Sequence, residues 1–127
     1  MNPNFDTIGK GFVDTYYTLF DTNRSQLQPL YRDHSMLTFE GQQFQGAIAI
    51  TQKLVALPFQ AVKHVLTTVD CQPIPNNGVL VFVVGQLKSD DDHPHGFSQT
   101  FVLFPEDEAA TKYYVMNDIF RLALHHG

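Results

Sequence analysis

The first third of the chain carries the spacing of an amphipathic helix. Apolar side chains recur every three or four residues, in the order Phe5, Ile8, Phe12, Tyr16 and Leu19. This spacing places them on one face of a helix that ends at the polar run 21–23. Ser25 is expected to cap a short second helix, which Pro29 keeps brief.

A short strand and a third helix are expected next. Residues 35–40 read as a strand, and the segment 41–46, bounded by two glycines, reads as a compact turn region. The following helix is predicted from about residue 47 to residue 57, where Pro58 stops it.

The second half of the chain reads as strands. Stretches rich in β-branched and aromatic residues cover 62–71, 79–88, 96–104 and 112–124. Short polar loops join them, and Asn77 followed by Gly78 is a strong turn signal. An antiparallel meander is therefore expected. Helices first and strands last predict an α+β fold, with three helices packed on one face of a curved antiparallel sheet.

Three of these stretches are apolar at both odd and even positions. They cover residues 79–84, 101–104 and 113–116. Because alternate side chains of a strand point to opposite faces, both faces of the sheet need burial there. The helices cover only one face, so a homodimer packed sheet to sheet is predicted. The alternative is that the fourth strand and the loops fold over this face.

The charge balance narrows the class of partner. Thirteen acidic and eight basic residues give a net charge of −5, and the basic residues are scattered singly. Nucleic-acid binding needs a clustered basic footprint, so a protein partner with a basic contact surface is expected. The sequence also lacks a membrane-length apolar run, a signal-peptide pattern and a second cysteine besides Cys71. These features favour a protein of the cell interior.

Catalytic and metal-binding motifs are missing from the sequence. It contains no nucleophile elbow, phosphate-binding glycine loop or HExxH spacing. The loop 89–96 holds three aspartates and two histidines, but consecutive residues of one tight loop rarely converge on a metal ion. Two interpretations of this loop stay open, a solvated hairpin turn and an acidic hook for a basic partner.

Two single residues also have more than one interpretation. Glu40 follows an apolar strand and precedes Gly41, which places it at the rim of the expected pocket between helices and sheet. It could serve as an ordinary surface carboxylate, a general base or an ion-pair partner. Phe5 either holds the first helix to the core or offers an exposed ring to a ligand.

Several motifs resemble the nuclear transport factor 2 family. They are FVDTYYTLFD at 12–21, LTFEGQQFQG at 37–46, KLVALPFQ at 53–60, VGQLK at 84–88 and NDIFRLALH at 117–125. The resemblance extends over essentially the whole chain. It implies one cone-shaped domain over residues 1–127, a homodimer, no catalytic activity, no cofactor and no metal.

The resemblance also implies a function. Members of this family carry the small GTPase Ran, in its GDP form, from the cytoplasm to the nucleus. They cross the nuclear pore by binding the phenylalanine-glycine repeats of nucleoporins. The resemblance therefore implies a protein found in the cytoplasm, the nucleus and the nuclear pore, with contacts to neither nucleic acid nor the membrane interior.

Seven residues match positions that the family uses for binding. The acidic positions that pair with basic side chains of Ran are Glu40, Asp90 and Asp92. The positions that line a hollow for an aromatic side chain of Ran are Phe39, Leu57 and Met116. Phe5 matches an aromatic position that contributes to nucleoporin binding. The family often has Trp where this chain has Phe5 and Phe39, which reduces the apolar area at both sites.

An enzymatic alternative comes from the same resemblance. Ketosteroid isomerase and scytalone dehydratase share the cone fold and use the hollow as an active site. Glu40 or Asp118 would then be a base in an apolar pocket. The sequence shows no evident acid–tyrosine pair that the fold would bring together there, which weighs against this alternative. A scaffold dimer without a GTPase partner is the other alternative.

Overall fold

The computed structural model describes residues 1–58, 62–90, 93–109 and 112–123. Helix α1 spans Phe5–Thr22, a 3₁₀ helix spans Arg24–Leu30, and helix α2 spans Ala47–Val55. Of the predicted apolar stripe, helix α1 buries Phe12 and Tyr16, while Phe5, Ile8 and Leu19 are half-buried at the margin of the core. The two shorter helices follow the expected order.

Six strands form one sheet. They are β1 (Tyr31–Phe39), β2 (Gln42–Gln45), β3 (Val62–Ile74), β4 (Gly78–Ser89), β5 (His95–Pro105) and β6 (Tyr113–Ala123). Their order across the sheet is β2-β1-β6-β5-β4-β3. The last four strands pair antiparallel with their chain neighbours, which confirms the predicted meander. A turn joins β3 to β4 where the Asn77-Gly78 signal predicted one, but the positive φ values belong to Asn76 and Asn77, one residue earlier than expected, and Gly78 begins β4.

The first half of the sheet differs from the sequence prediction. Strand β1 pairs in parallel with β6, with Leu37 opposite Asp118, so the sheet is mixed and not wholly antiparallel. Strand β2 forms inside the segment predicted to be a turn region and pairs antiparallel with β1. The turn itself is short, because Glu40 and Gly41 both adopt positive φ values of 51° and 86°.

Two helix boundaries also differ. Asn23, and not Ser25, occupies the N-cap of the 3₁₀ helix, and the Ser25 hydroxyl donates a hydrogen bond to Asn23 Oδ1 at 2.6 Å. Helix α2 ends at Val55, two residues before the predicted end. The helix ends before Pro58, because helical backbone geometry is disfavoured at the residue that precedes a proline.

The helices lie on one face of the sheet and enclose an aromatic core. Helix α1 packs against β3 and β4, and α2 packs against β1 and the 3₁₀ helix. At the centre, the ring of Phe101 meets Tyr16 edge-on at 4.8 Å and Phe12 edge-on at 5.1 Å between centroids. Such pairs add to the burial of each ring, which is worth about 1.5–3 kcal/mol. None of the helices in the described part of the chain is long and apolar enough to cross a membrane.

Candidate functional site

A hollow lies between the helices and the sheet, at the end where β1, β4 and β6 finish. Its lining is mostly aromatic and aliphatic, and it consists of Tyr16, Phe20, Leu37, Phe39, Leu54, Leu57, His64, Leu87, Gln99 and Phe120. These side chains nearly fill it, since the remaining space is about 10 Å³. That volume holds about one water molecule. A larger group can enter only if part of the lining moves.

The mouth of the hollow is built from stacked aromatic rings. Phe39, at the end of β1, stacks on Phe120 of β6 with 4.7 Å between centroids and an interplanar angle of 8°. The parallel pairing of β1 with β6 sets Phe39 directly opposite Phe120, which explains this stack. Lys53 Nζ of α2 lies over the same ring, 5.3 Å from the Phe39 centroid. Phe39 therefore contacts both a neighbouring ring and a cation.

Glu40 is anchored at the rim beside this stack. Its backbone N–H donates to the Phe120 carbonyl at 3.1 Å, and its carboxylate accepts a hydrogen bond from the backbone N–H of Leu122. The positive φ of 51° turns the chain sharply at this residue. The end of β6 thus holds the carboxylate next to the hollow. These hydrogen bonds distinguish Glu40 from an ordinary mobile surface acid.

Asp90, the second acidic residue, lies at the same end of the sheet as Glu40. Asp90 directly follows β4, and its φ of 50° turns the chain there. Three strand spacings, about 14 Å, separate β1 from β4, and the strand register places Asp90 about six residues, or about 20 Å, farther along the strand direction than Glu40. Glu40 and Asp90 therefore lie at the same end of the sheet, with Glu40 beside the mouth and Asp90 beyond it. Asp92 lies outside the described residues.

The hollow rests on a buried polar network. Gln99 accepts a hydrogen bond from the Tyr17 hydroxyl at 2.6 Å and donates one to Asp118 Oδ1 at 2.8 Å. The Tyr31 hydroxyl donates to Asp118 Oδ2 at 2.8 Å. Burial raises the pKa of Asp118 to about 7, and the hydrogen bonds from Gln99 and Tyr31 only partly oppose this effect. The carboxyl is 1% exposed.

The parallel β1–β6 pairing brings an acid and a tyrosine, Asp118 and Tyr31, together across 87 positions of sequence. Neither residue belongs to the lining of the hollow, whose polar members are Tyr16, His64 and Gln99. The contact therefore leaves in place the expectation that no acid–tyrosine pair meets in the hollow. The pair therefore lies beneath the hollow and not at its surface.

His64 is a lining residue that the sequence did not single out. Its Nδ1 lies 2.6 Å from Asp21 Oδ1, and its backbone N–H donates to Asp21 Oδ2 at 3.0 Å. The ring meets Phe20 and Phe97 edge-on, and its side chain is 2% exposed. The Asp21 contact fixes the ring orientation in the wall of the hollow. Only the folded topology could reveal it, because Asp21 belongs to α1 and His64 to β3.

The structure separates the three residues expected to line the hollow. Phe39 and Leu57 are both in the lining, whereas Met116 is not among the described residues that form it. Pairing between β5 and β6 passes from Val102–Asn117 to Leu103–Val115 and so skips Met116. Met116 is the extra residue of a β-bulge, and such residues lose the regular alternation of faces. Its expected position in the hollow is therefore wrong.

Phe5 is half-buried and packs against the core as the first residue of α1. The segment before it is fixed by the buried side chain of Asn2. Asn2 Nδ2 donates to the Tyr113 hydroxyl at 2.6 Å, and Asn2 Oδ1 accepts from the Asn4 backbone N–H at 2.9 Å. Phe5 thus makes the core contact of the first interpretation, and its role as a surface ring for a ligand stays a prediction.

The face of the sheet opposite the helices carries large exposed apolar side chains. Phe82 is 42% exposed, Ile119 is 50% exposed, and Val65 is 54% exposed. Phe82 and Ile119 flank Thr100 on adjacent strands, so they share one face of the sheet. Clustered exposed apolar side chains of this kind are typical of an interface.

The fold and the hollow define a class of protein: an α+β domain whose helices and mixed sheet enclose a pocket open at one end. The family model for the nuclear transport factor 2 domain matches residues 8–122. The chain belongs to the nuclear transport factor 2 family. Among its relatives, nuclear transport factor 2 of Oryza sativa is 56% identical over 119 residues, covering 92% of this chain and 95% of the relative.

Two further comparisons agree. Nuclear transport factor 2 of Saccharomyces cerevisiae is 52% identical over 124 residues, which covers 96% of this chain and 97% of that protein. The solved structure of nuclear transport factor 2 from Cryptosporidium parvum matches with a TM-score of 0.92 and 50% identity. It covers 96% of this chain and 97% of that one. The described sheet and helices are thus those of the family.

Proposed function

We propose that this protein is a nuclear import carrier that binds the small GTPase Ran in its GDP form. We further propose that it crosses nuclear pores by weak binding to the phenylalanine-glycine repeats of nucleoporins. The curated relatives, named nuclear transport factor 2, favour a carrier over an enzyme. A carrier with this route would be found in the cytoplasm, in the nucleus and at the nuclear pore.

The observation that supports Ran binding is the pairing of an apolar hollow with an acidic rim. Phe39 and Leu57 supply apolar walls, Glu40 lies at the rim, and Asp90 lies at the same end of the sheet. An aromatic side chain of the GTPase would insert between the walls, and basic side chains would meet the acids. Asp92 is proposed as a third acid by its position in the sequence alone.

The hollow supplies the larger share of the binding energy. Exposed ion pairs are worth about 0–1 kcal/mol each, so the rim acids mainly set register and selectivity. An aromatic anchor in a dry pocket contributes about 2 kcal/mol or more. Because the hollow now holds only about 10 Å³, entry of the anchor has to displace part of the lining, and this opening reduces the net affinity.

Selection of the GDP form requires no contact with the nucleotide. A switch segment of the GTPase that presents its anchor and basic residues in the right positions only with GDP bound gives the required difference in affinity. Phe39 and Phe120 at the mouth would meet the anchor first, so a ring presented in another position would gain less contact with them.

Two further contacts complete the proposal. Phe5 offers a partly exposed ring for nucleoporin repeats, and shallow contacts of this type allow the fast exchange that passage through a pore requires. The exposed face around Phe82 and Ile119 is proposed to pair with the same face of a second copy, giving a homodimer. In such a dimer the apolar face is covered and the two hollows stay open.

The test is calorimetric titration with Ran loaded with GDP and, separately, with GTP. Binding to the GDP form alone is expected. Glu40→Lys should abolish this binding and leave the dimer and the nucleoporin contact intact, because it reverses one rim charge beside the mouth. Glu108→Lys makes the same charge change at an exposed residue and is the matched control. Unchanged Ran binding by Glu40→Lys would overturn the assignment of the rim.

A further inference from the structure

The ammonium group of Lys53 covers the aromatic mouth of the hollow. Lys53 Nζ lies 5.3 Å from the Phe39 centroid and 5.6 Å from the Phe44 centroid, and it donates to Gln42 Oε1 at 3.2 Å. Within the described residues, no carboxylate lies at ion-pair distance from this ammonium. A half-buried cation therefore stands at the mouth with only neutral partners.

The surroundings of Lys53 balance part of its charge. Each aromatic face contributes about 0.5–1 kcal/mol to a cation at a partly exposed site. Lys53 also lies in the last turn of α2, where the helix dipole favours positive charge. These contacts hold the ammonium in place without neutralising it. The cation is thus positioned in advance for an anionic group from outside the chain.

Phe39 couples this cation to the hollow. Its ring lies under the Lys53 ammonium, 5.3 Å from the centroid, and it stacks on Phe120 of the lining at 4.7 Å. An aromatic anchor that reaches Phe39 therefore comes close to the ammonium. A group beside the anchor in the partner is then within reach of Lys53.

We propose that Lys53 is a specificity-determining residue of the hollow, which pairs with a carboxylate that the partner carries beside its aromatic anchor. This inference rests on the proposed function, in which the hollow receives such an anchor. This end of the molecule then has a charge pattern, with acids at Glu40 and Asp90 and a base at Lys53. The matching surface is basic toward β4 and acidic toward α2. A uniformly basic surface meets repulsion at Lys53 and is rejected.

The experiment is calorimetric titration of the GDP-bound GTPase with three variants. Lys53→Met keeps the apolar stem over the rings and removes the charge, and about a 5-fold loss of affinity is expected. Lys53→Glu places a carboxylate against the carboxylate proposed for the partner, and a loss of affinity of about 20-fold or more is expected. Lys112→Glu is the matched control, because it makes the same charge change at the far end of the sheet and should alter affinity by less than about 2-fold.

A charge exchange identifies the partner group. Acidic residues flanking the anchor of the GTPase are changed to Lys one at a time, and each is titrated with Lys53→Glu. Recovery of affinity by one of them supports the pairing. Equal affinity of Lys53→Met and the unchanged protein would overturn the role of Lys53 and leave the carrier function standing. Absence of binding by the unchanged protein would overturn both proposals.

Discussion

The buried carboxyl of Asp118 should make the stability of this protein fall as the pH rises from about 4 to about 7. Its pKa is raised from the usual 3.8 to about 7, chiefly because burial disfavours the charged form. Over this window the folded protein holds a proton that the unfolded chain has already released. The folded state thus binds one more proton, and rising pH favours unfolding.

The size of the effect follows from the two pKa values. A difference of about 3 units corresponds to about 4 kcal/mol, since each unit is worth about 1.4 kcal/mol. The stabilising contribution of the protonated carboxyl is present in full below about pH 4. It is lost as the pH rises toward the folded-state pKa of about 7. Above about pH 7 the loss is complete and the contribution no longer changes.

Asp118→Asn removes this titration, because an amide of nearly the same shape does not ionise. Urea unfolding is measured for both proteins from pH 4.5 to pH 8, at one protein concentration because a dimer's stability depends on it. The amide loses one acceptor toward Gln99 or Tyr31, which costs a roughly constant amount. The free energy of unfolding of Asp118→Asn minus that of the unchanged protein should therefore rise by about 1.4 kcal/mol per pH unit below about pH 6.5.

A control separates this effect from a change in net charge. Asp14→Asn makes the same chemical change at an exposed position of α1. A difference for Asp118→Asn that stays constant between pH 4.5 and pH 6.5, or that falls with pH, would refute the reasoning. Such a result would mean that Gln99 and Tyr31 stabilise the carboxylate more than burial destabilises it.

Two further predictions concern the packing of α1 and the exposed face of the sheet. Gly9→Ala should destabilise the protein by about 1–3 kcal/mol, because a methyl group there would collide with Cys71 Sγ. Gly11→Ala places its methyl group in open space and should instead stabilise the protein by about 0.5–1 kcal/mol. Urea unfolding checks both, and equal effects at the two glycines would contradict the close approach of α1 to β3. Ile119→Asp should convert the proposed homodimer to monomers in analytical ultracentrifugation by placing a charge on the exposed apolar face, and an unchanged mass would show that this face is not the interface.

The local patterns of the sequence predicted those elements whose form depends on near neighbours. The three- and four-residue spacing from Phe5 to Leu19 corresponds to α1, which buries one face. The turn at Asn76 and Asn77 requires positive φ, which asparagine accepts more easily than most residues, so a β3–β4 hairpin was predictable, although the turn begins one residue before the Asn77-Gly78 pair. The sequence predicts Glu40 at the rim of the pocket, because an apolar strand precedes it and a glycine follows it.

The parts that were missed depend on contacts distant in sequence. Pairing of β1 with β6 joins residues about 80 positions apart in the sequence. No local sequence pattern indicates that a strand will pair with a parallel neighbour. The same pairing creates the Asp118–Tyr31 contact and the stack of Phe39 on Phe120. The bulge that displaces Met116 is also invisible in the sequence, because it arises from the register between two strands.

The disposition of polar groups explains how a pocket of this shape serves docking and not chemistry. Asp118 receives hydrogen bonds from Tyr31 and Gln99, and the carbonyl of Gln99 receives one from Tyr17. The acid most suited to act as a base is thereby enclosed beneath the lining, with its hydrogen-bonding capacity met inside the protein. A general base must reach the proton that it removes, and Asp118 cannot do so from 1% exposure. The surface presented to a ligand is then a set of ring faces and aliphatic groups, with charge confined to the rim. Such an arrangement suits the docking of an apolar anchor that is oriented by its charged neighbours, as the proposed function requires.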